Sequence, residues 1–369
     1  MKTEICFIIQ RYANGGGTER VLSQISSGLV KMGYGVSVIS IEKGKTPVFE
    51  TDSRVNLYEL NRPNIGKNGK IFGRVAIISE ISVTRKELLR LATEIKPHIV
   101  VAVDTVLYHY ADHLRKNLKI RSVAWEHYCL DSRKGIIINY SRRLAIKNAS
   151  LTVVISKGDL KSYKERFKRA DNLKLIYNPL PTKEITRGTP DAKAVIAMGR
   201  LTYQKGFDML LSAWESVEEK APDWNLLIYG DGEDKSSLLS QAEKSGLKGV
   251  RFMGYTESPH KEMEKGSIFV LSSRYEGFGL VLLEAQAKGL ACVSFNCKEG
   301  PREIIDDGIN GFLVEEGNVS ELSKKLLRLI KNDNLRKSFM RSASKDLYRF
   351  YPERVLMEWD NAIREIMKS

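Results

Sequence analysis

The sequence has only four cysteines in 369 residues, Cys6, Cys129, Cys292 and Cys297, and no CxxC or CxxH spacing among them. That excludes the common tetrahedral zinc frameworks. Their neighbours are apolar, which suits buried reduced thiols and a cytosolic setting. No stretch approaches the ~18 apolar residues of a membrane span. The apolar run 5–9 is too short for the core of a secretion signal and meets Arg11 almost at once. Neither export by such a signal nor passage through a bilayer is expected. There is no D-x-D between strand-like runs and no His/Cys/Asp cluster with ligand spacing, so metal-independent chemistry is expected. A G-x-G-x-x-G fingerprint is also missing, which argues against a nucleotide-dependent dehydrogenase.

What is present is an ordinary folded composition, 42% hydrophobic and 28% charged. The net charge of +14 is unevenly spread. Residues 1–190 hold 33 Lys and Arg against 17 Asp and Glu; residues 191–369 hold 26 against 28. The first half therefore invites an anionic partner, whether nucleic acid, anionic lipid or a phosphorylated substrate. Nucleic acid is disfavoured because no recognisable binding signature accompanies the charge.

A chain of this length is long for one core and suits two domains. Short β-branched runs at 4–10, 36–41, 98–103, 121–127 and 151–156 alternate with helical patterns such as 18–33 and 81–96. Strand, helix, strand in repetition predicts a parallel sheet with helices on both faces. Residues 172–193 break the alternation with three prolines and end in a linker. It restarts with strands at 194–200, 224–230, 250–254, 267–273, 291–295 and 311–314, and the tail 353–368 is helical. The expected fold class is α/β, with two doubly wound Rossmann-like domains. Ligands then belong in the loops beyond the carboxyl ends of strands.

Four such loops carry candidate chemistry. In RYANGGGTER, Gly15–Gly17 precede a helix that opens with Thr18 and Glu19. Its amides suit an anion or sugar hydroxyls. In GRLTYQKG, Arg200 and Lys205 stand at a strand end as a diphosphate clamp, a planar fork plus a point charge. GYTESP follows another strand with Tyr255 and Thr256. In RYEGFGLVLLEA (274–285), Glu276 follows a strand, and a helix starts near Gly279. The amides of Phe278, Gly279 and Leu280 then suit phosphate oxygens. Glu276 and Glu284 are eight positions apart, at most ~12 Å along a helix. Paired glycosidase carboxylates sit within roughly 5–9.5 Å. The spacing suits two ends of one extended ligand, such as a sugar nucleotide, better than an acid/base pair.

These motifs resemble those of the retaining glycosyltransferases of the GT-B fold, in particular family four. Its E-x7-E signature stands here as EGFGLVLLE. GGGTER resembles its N-terminal glycine loop, GRLTYQKG its phosphate clamp, and GPREIIDDGINGFLV its usual following segment. The resemblance covers nearly the whole chain and is strongest over 194–315. It implies an acceptor domain at 1–180, a nucleotide-sugar domain at 181–350, and a helix at 351–369 that packs back on the first domain. It implies reaction in a cleft between them. It places the donor sugar at Glu276, the diphosphate at Arg200, Lys205 and the amides from Gly277 to Leu280, and ribose at Glu284. The base falls near Tyr255 and Thr256, with Gly16 and Gly17 also on the donor side. In SVAWEHYCL, Glu126 and His127 end a strand. The resemblance puts His127 near the transferred sugar, with Glu19 and Glu126 towards the acceptor.

WEH followed by an aromatic resembles bacterial enzymes that add hexose or N-acetylhexosamine to surface polysaccharides. The expected reaction is retaining transfer from a UDP- or GDP-sugar to a saccharide, often lipid-diphosphate-linked as in O-antigen, capsule or lipopolysaccharide synthesis. The leaving phosphate takes the acceptor proton. The basic segments 67–74, 142–147 and 161–169 interleave cations with apolar residues, which suggests peripheral binding on the inner face of the membrane. The rival readings are a GT-B sugar-nucleotide epimerase and a basic nucleic-acid-binding protein.

Overall fold

The computed structural model describes residues 2–44, 46–63, 74–132, 135–168, 170–181, 185 and 188–368. Of the basic segments named above, positions 67–73 and Arg169 lie outside the described residues. The chain divides into two compact units, Met1–Pro181 with Pro352–Ser369, and Thr182–Tyr351.

The first unit holds β1 (Glu4–Ile9), β2 (Gly35–Ser40), β3 (Asn56–Glu59), β4 (Ile99–Val103), β5 (Arg121–Trp125), β6 (Leu151–Val154) and β7 (Leu173–Leu175). They form one sheet in the order β3-β2-β1-β4-β5-β6-β7, with the strand pairs parallel. Runs such as IVVAV are buried at every position, as strands covered on both faces must be. Helices Gly17–Lys31, Arg74–Ile95, Tyr108–Leu118, Ile136–Asn148 and Lys157–Arg166 cover the sheet. Local chemistry sets their ends. Ser156 caps the last of them, its Oγ accepting from the Asp159 amide at 2.9 Å. Lys96 turns left-handed before Pro97 and stops the helix that begins at Arg74.

The helix Pro352–Lys368 belongs to this first unit. Its buried residues, Val355, Trp359, Ala362, Ile363 and Ile366, recur at helical spacing. It lies so close to helix Gly17–Lys31 that a Cβ on Gly28 would stand 2.4 Å from both methyls of Leu356. Tyr34 donates to Asp360 at 2.5 Å, and Lys174 pairs with Glu365 at 2.7 Å.

The second unit holds β8 (Ala194–Met198), β9 (Asn225–Tyr229), β10 (Val250–Gly254), β11 (Ile268–Leu271), β12 (Ala291–Phe295) and β13 (Gly311–Val314), in the order β10-β9-β8-β11-β12-β13. Its core joins Trp214, Leu210 and Val217 to Leu226, Ile228, Leu322 and Leu326. In both sheets the order reverses beside the first strand of the unit, next to β1 and next to β8, which is the switch point of a doubly wound sheet.

The structure trims most of the expected strands at their carboxyl ends: β5 stops at Trp125, β8 at Met198 and β11 at Leu271. The residues beyond, Glu126, Gly199 and Ser272 among them, belong to loops. Two short strands, β3 and β7, have no counterpart among the expected elements.

Candidate active site

In the second unit, β8 and β11 are neighbours, with Ile268 opposite Val195. The loops that leave them, 199–206 and 272–279, are fastened to each other. The Arg274 amide donates to the Gln204 carbonyl at 2.8 Å, and Gln204 Nε2 donates to the Tyr275 carbonyl at 3.0 Å. Ser272 Oγ donates to the Lys205 carbonyl at 3.0 Å. The Arg274 guanidinium grips Asp208 at 2.9 and 2.6 Å, donates to the Tyr203 carbonyl at 2.7 Å, and lies 3.9 Å from the Tyr203 ring centroid. Its hydrogen bond holds the Asp208 carboxyl below its ordinary pKa. Arg274 is thus committed to the protein and acts as a clamp between loops. Gly206 sits at φ 63, where a Cβ would meet the Ser272 carbonyl at 2.1 Å, so the approach of the loops depends on glycine.

This fastening brings Lys205 and Glu276 together. Lys205 Nζ lies 2.6 Å from Glu276 Oε1, and Ser273 Oγ donates to the same oxygen at 2.6 Å. The two residues, assigned from sequence to phosphate and to sugar, form one ion pair 71 positions apart in sequence. Both bonds fall on Oε1; Oε2 makes no hydrogen bond among the described residues. Glu276 is 6% exposed and Glu284 4%. Burial, and after it the Glu276 charge, pushes the Cys297 thiol up, which places that inert thiol beside the pair.

Helix Leu280–Ala287 starts after Gly279, which is left-handed at φ 90. Phe278 is buried and packs edge-on against Phe350, 5.5 Å between centroids, which fixes the entry to the helix. The first amides of an α-helix have no acceptor within it and carry partial positive charge. Glu284 lies one and a half turns deeper on the same helix, so its position follows from the helix start. Arg200 is exposed beyond β8, and its side chain has no ion-pair partner among the described residues. Gly230, at φ 141, lets the loop after β9 touch the Gly199 carbonyl. Tyr255 is exposed, and Thr256 Oγ1 accepts from the Ser258 amide at 3.0 Å. Arg200, Lys205, Tyr255, Thr256 and the segment Glu276 to Glu284 therefore share the carboxyl edge of one sheet.

The remaining candidates belong to the first unit. Gly16 is the N-cap of helix Gly17–Lys31, in extended conformation, and a Cβ there would stand 2.6 Å from Glu19 Oε2. This loop follows β1, and Glu126 with His127 follow β5, with β4 between. Glu126 is fully buried. Its Oε1 accepts from the amides of His127 and Tyr128, both at 3.2 Å, and its Oε2 from Arg142 Nε at 3.1 Å and Tyr163 OH at 2.6 Å. A carboxylate with four donors inside the core does not reach outward to an acceptor; it holds the turn that carries His127. The His127 ring lies 4.4 Å from Trp125, which meets Trp359 edge-on at 4.8 Å. Ser273 and Arg274 had no role assigned from sequence; Arg142 and Tyr163 stood in the segments 142–147 and 161–169 read as membrane-facing, and the structure instead buries both in the core around Glu126. Arg274 stood two positions before the E-x7-E motif, but its partner Asp208 is 66 positions away.

Two family descriptions match the chain: Glycosyltransferase Family 4 over residues 15–184, and Glycosyl transferases group 1 over 182–346. A glycosyltransferase of Haemophilus influenzae is 33% identical over 337 residues, 90% of this chain and 92% of that protein. The amylovoran biosynthesis glycosyltransferase AmsD of Erwinia amylovora is 27% identical over 98% of this chain and 99% of its own. Among solved structures, Anabaena HepE in complex with UDP and glucose superposes with a TM-score of 0.79 at 19% identity, covering 98% of this chain and 99% of that one. With two Rossmann-like sheets, loops gathered at the switch point of the second and a relative at one-third identity along nearly its full length, the chain belongs to the GT-B glycosyltransferases of family four.

Proposed function

We propose that this enzyme moves a hexose or N-acetylhexosamine from a UDP-sugar to a saccharide acceptor, with retention at the anomeric carbon, in the synthesis of a bacterial surface polysaccharide. One observation carries the reading. Glu276 is buried and oriented through Oε1 by Lys205 and Ser273, while Oε2 is left for a ligand. A carboxylate so held accepts well from a sugar diol, and the Lys205 ammonium beside it suits the phosphate to which that sugar is joined. HepE bound to UDP and glucose, and the role of AmsD in amylovoran synthesis, support the donor and the setting.

The roles follow from charge. Arg200 and Lys205 draw the diphosphate, and the amides opening helix Leu280–Ala287 add partial positive charge where the leaving group gains negative charge. Glu284 takes the ribose and the loop at Tyr255 and Thr256 the base. The leaving phosphate accepts the acceptor proton from the face it vacates, so no second carboxylate acts as nucleophile. The two cations and the helix start supply the charge that a divalent metal supplies elsewhere, and the reaction is metal-independent on this reading. His127 borders the transferred sugar, Gly16 and Gly17 lie on the donor side, and Glu19 on the acceptor side. The acceptor is a lipid-diphosphate-linked saccharide at the inner membrane surface.

Donor turnover over a panel of UDP- and GDP-sugars, with and without EDTA, tests this. Lys205→Ala and Glu276→Ala should each lower turnover of the preferred UDP-sugar by about 100-fold or more with an unchanged circular dichroism spectrum. Full activity in either variant, or activity abolished by EDTA and restored by Mg²⁺, would overturn the assignment. Interconversion of UDP-sugars without an acceptor marks an epimerase instead.

A further inference from the structure

We infer that the surface made by helices Ile136–Asn148 and Lys157–Arg166 docks the enzyme on an anionic lipid bilayer, a placement that rests on the reading of a lipid-linked acceptor. The two helices follow neighbouring strands, β5 and β6. They pack on shared apolar residues, with Ile146 and Leu160 against the cluster of Leu130, Val154 and Tyr163.

Their outer faces differ from an ordinary solvated surface. On the first helix Ile136, Tyr140, Arg143 and Lys147 are exposed and fall at positions i, i+4, i+7 and i+11, one stripe, with Ile137 beside it. Ile138, Ser141, Arg142 and Ala145 form the buried side. Ile136 is 87% exposed and Tyr140 52%. The stripe is thus apolar at the helix start and cationic behind it. On the second helix Lys157, Lys161 and Lys164 are exposed at the same spacing, and Lys168 continues the row past the helix end. Glu165 stands 3.9 Å from Lys161, and Asp131 lies 3.8 Å from Arg166.

An apolar tip ringed by cations matches a bilayer interface, where isoleucine and tyrosine enter the headgroup region and lysine and arginine meet lipid phosphates. A nucleic acid would use the cations and leave the isoleucines in water. A second copy of this chain would bring like charges together across a two-fold interface. The position also makes sense for catalysis. Ile136 opens the helix that follows the 126–130 turn, so a bilayer at this tip offers a lipid-linked saccharide to the turn that carries His127.

Vesicle flotation of the intact protein tests the surface, with phosphatidylcholine alone and with phosphatidylcholine plus phosphatidylglycerol. Binding is expected on the anionic vesicles at low salt, with little on the neutral ones. I136S/I137S and K161E/K164E should each lower it about tenfold. Ile136→Trp should shift its fluorescence to the blue on anionic vesicles and be quenched by brominated lipid. Equal flotation of wild type and both double variants overturns the surface, as does unshifted Trp fluorescence. A dimer in sedimentation that I136S/I137S dissolves, with no flotation of the wild type, assigns the face to a second copy and also overturns it. Transfer to a soluble saccharide should stay within about twofold in these variants, since none of the four residues belongs to the donor machinery. A wild type that floats as described yet transfers no sugar refutes the catalytic reading and leaves the surface standing.

Discussion

Three buried glutamates separate structural from chemical burial. Glu126 has donors on both oxygens and every donor comes from its own unit. Glu276 takes Lys205 and Ser273 on one oxygen only. Glu284 sits where a helix start dictates. Composition cannot distinguish them, because Arg142, Tyr163 and Lys205 lie 16, 37 and 71 positions from the carboxylates they hold. His109 shows burial with a different consequence. It is buried after β4, and its Nδ1 has no hydrogen-bond partner among the described residues. Burial, and then the Arg85 charge, depresses its pKa to about 3. The folded state therefore keeps it neutral, while the unfolded chain takes up a proton near pH ~6.5. That stability is complete above pH ~6.5 and is lost as pH falls, at about 1.4 kcal/mol per unit. Urea unfolding at pH 7.5 and pH 5 should differ by about 2 kcal/mol more in the wild type than in His109→Gln. Equal differences would show that another group governs that range.

At the scale of elements, the loops 199–206 and 272–279 are held by side-chain clamps and one backbone hydrogen bond, and their close approach depends on Gly206. Gly206→Ala puts a methyl into the Ser272 carbonyl and an alanine at φ 63. It should part the two loops, raising KM for the donor and lowering kcat together, with a cost of about 1–3 kcal/mol in stability. Steady-state kinetics with the preferred UDP-sugar checks this; wild-type constants would show that the loops meet without it. Much of the element order was readable from sequence. Buried parallel strands are continuous apolar runs, and IVVAV or ACVSF announce themselves. The short edge strands β3 and β7 do not, since NLYE and LKL have no fully buried position. The E-x7-E stretch and the Arg200 and Lys205 loop were legible because their residues are close in sequence. The clamp of Arg274 on Asp208, and the cluster of Glu126, Arg142 and Tyr163, were not. Each is made by the fold bringing distant loops together, and no local periodicity records it.

At the scale of the molecule, the excess positive charge belongs to the half that holds the first unit, and the half that holds the second is near neutral. The family description at each half agrees with that division. One unit also depends on sequence that follows the other. Removing residues 352–369 uncovers Trp125, Gly28 and Tyr34. The truncated protein should lose the first unit's cooperative unfolding while the second unit melts as before, read by calorimetry. Two unchanged transitions would show that the helix is dispensable.

That arrangement has a consequence for how the protein is made. During synthesis the first sheet emerges early, yet the helix that covers Trp125 leaves the ribosome only after the whole second unit. Domains usually complete themselves in the order in which they are made. Here the unit begun first is finished after the second, and until then its apolar groove stands open to chaperones. A stall late in translation would therefore yield a chain with a folded second unit and an unfinished, sticky first unit.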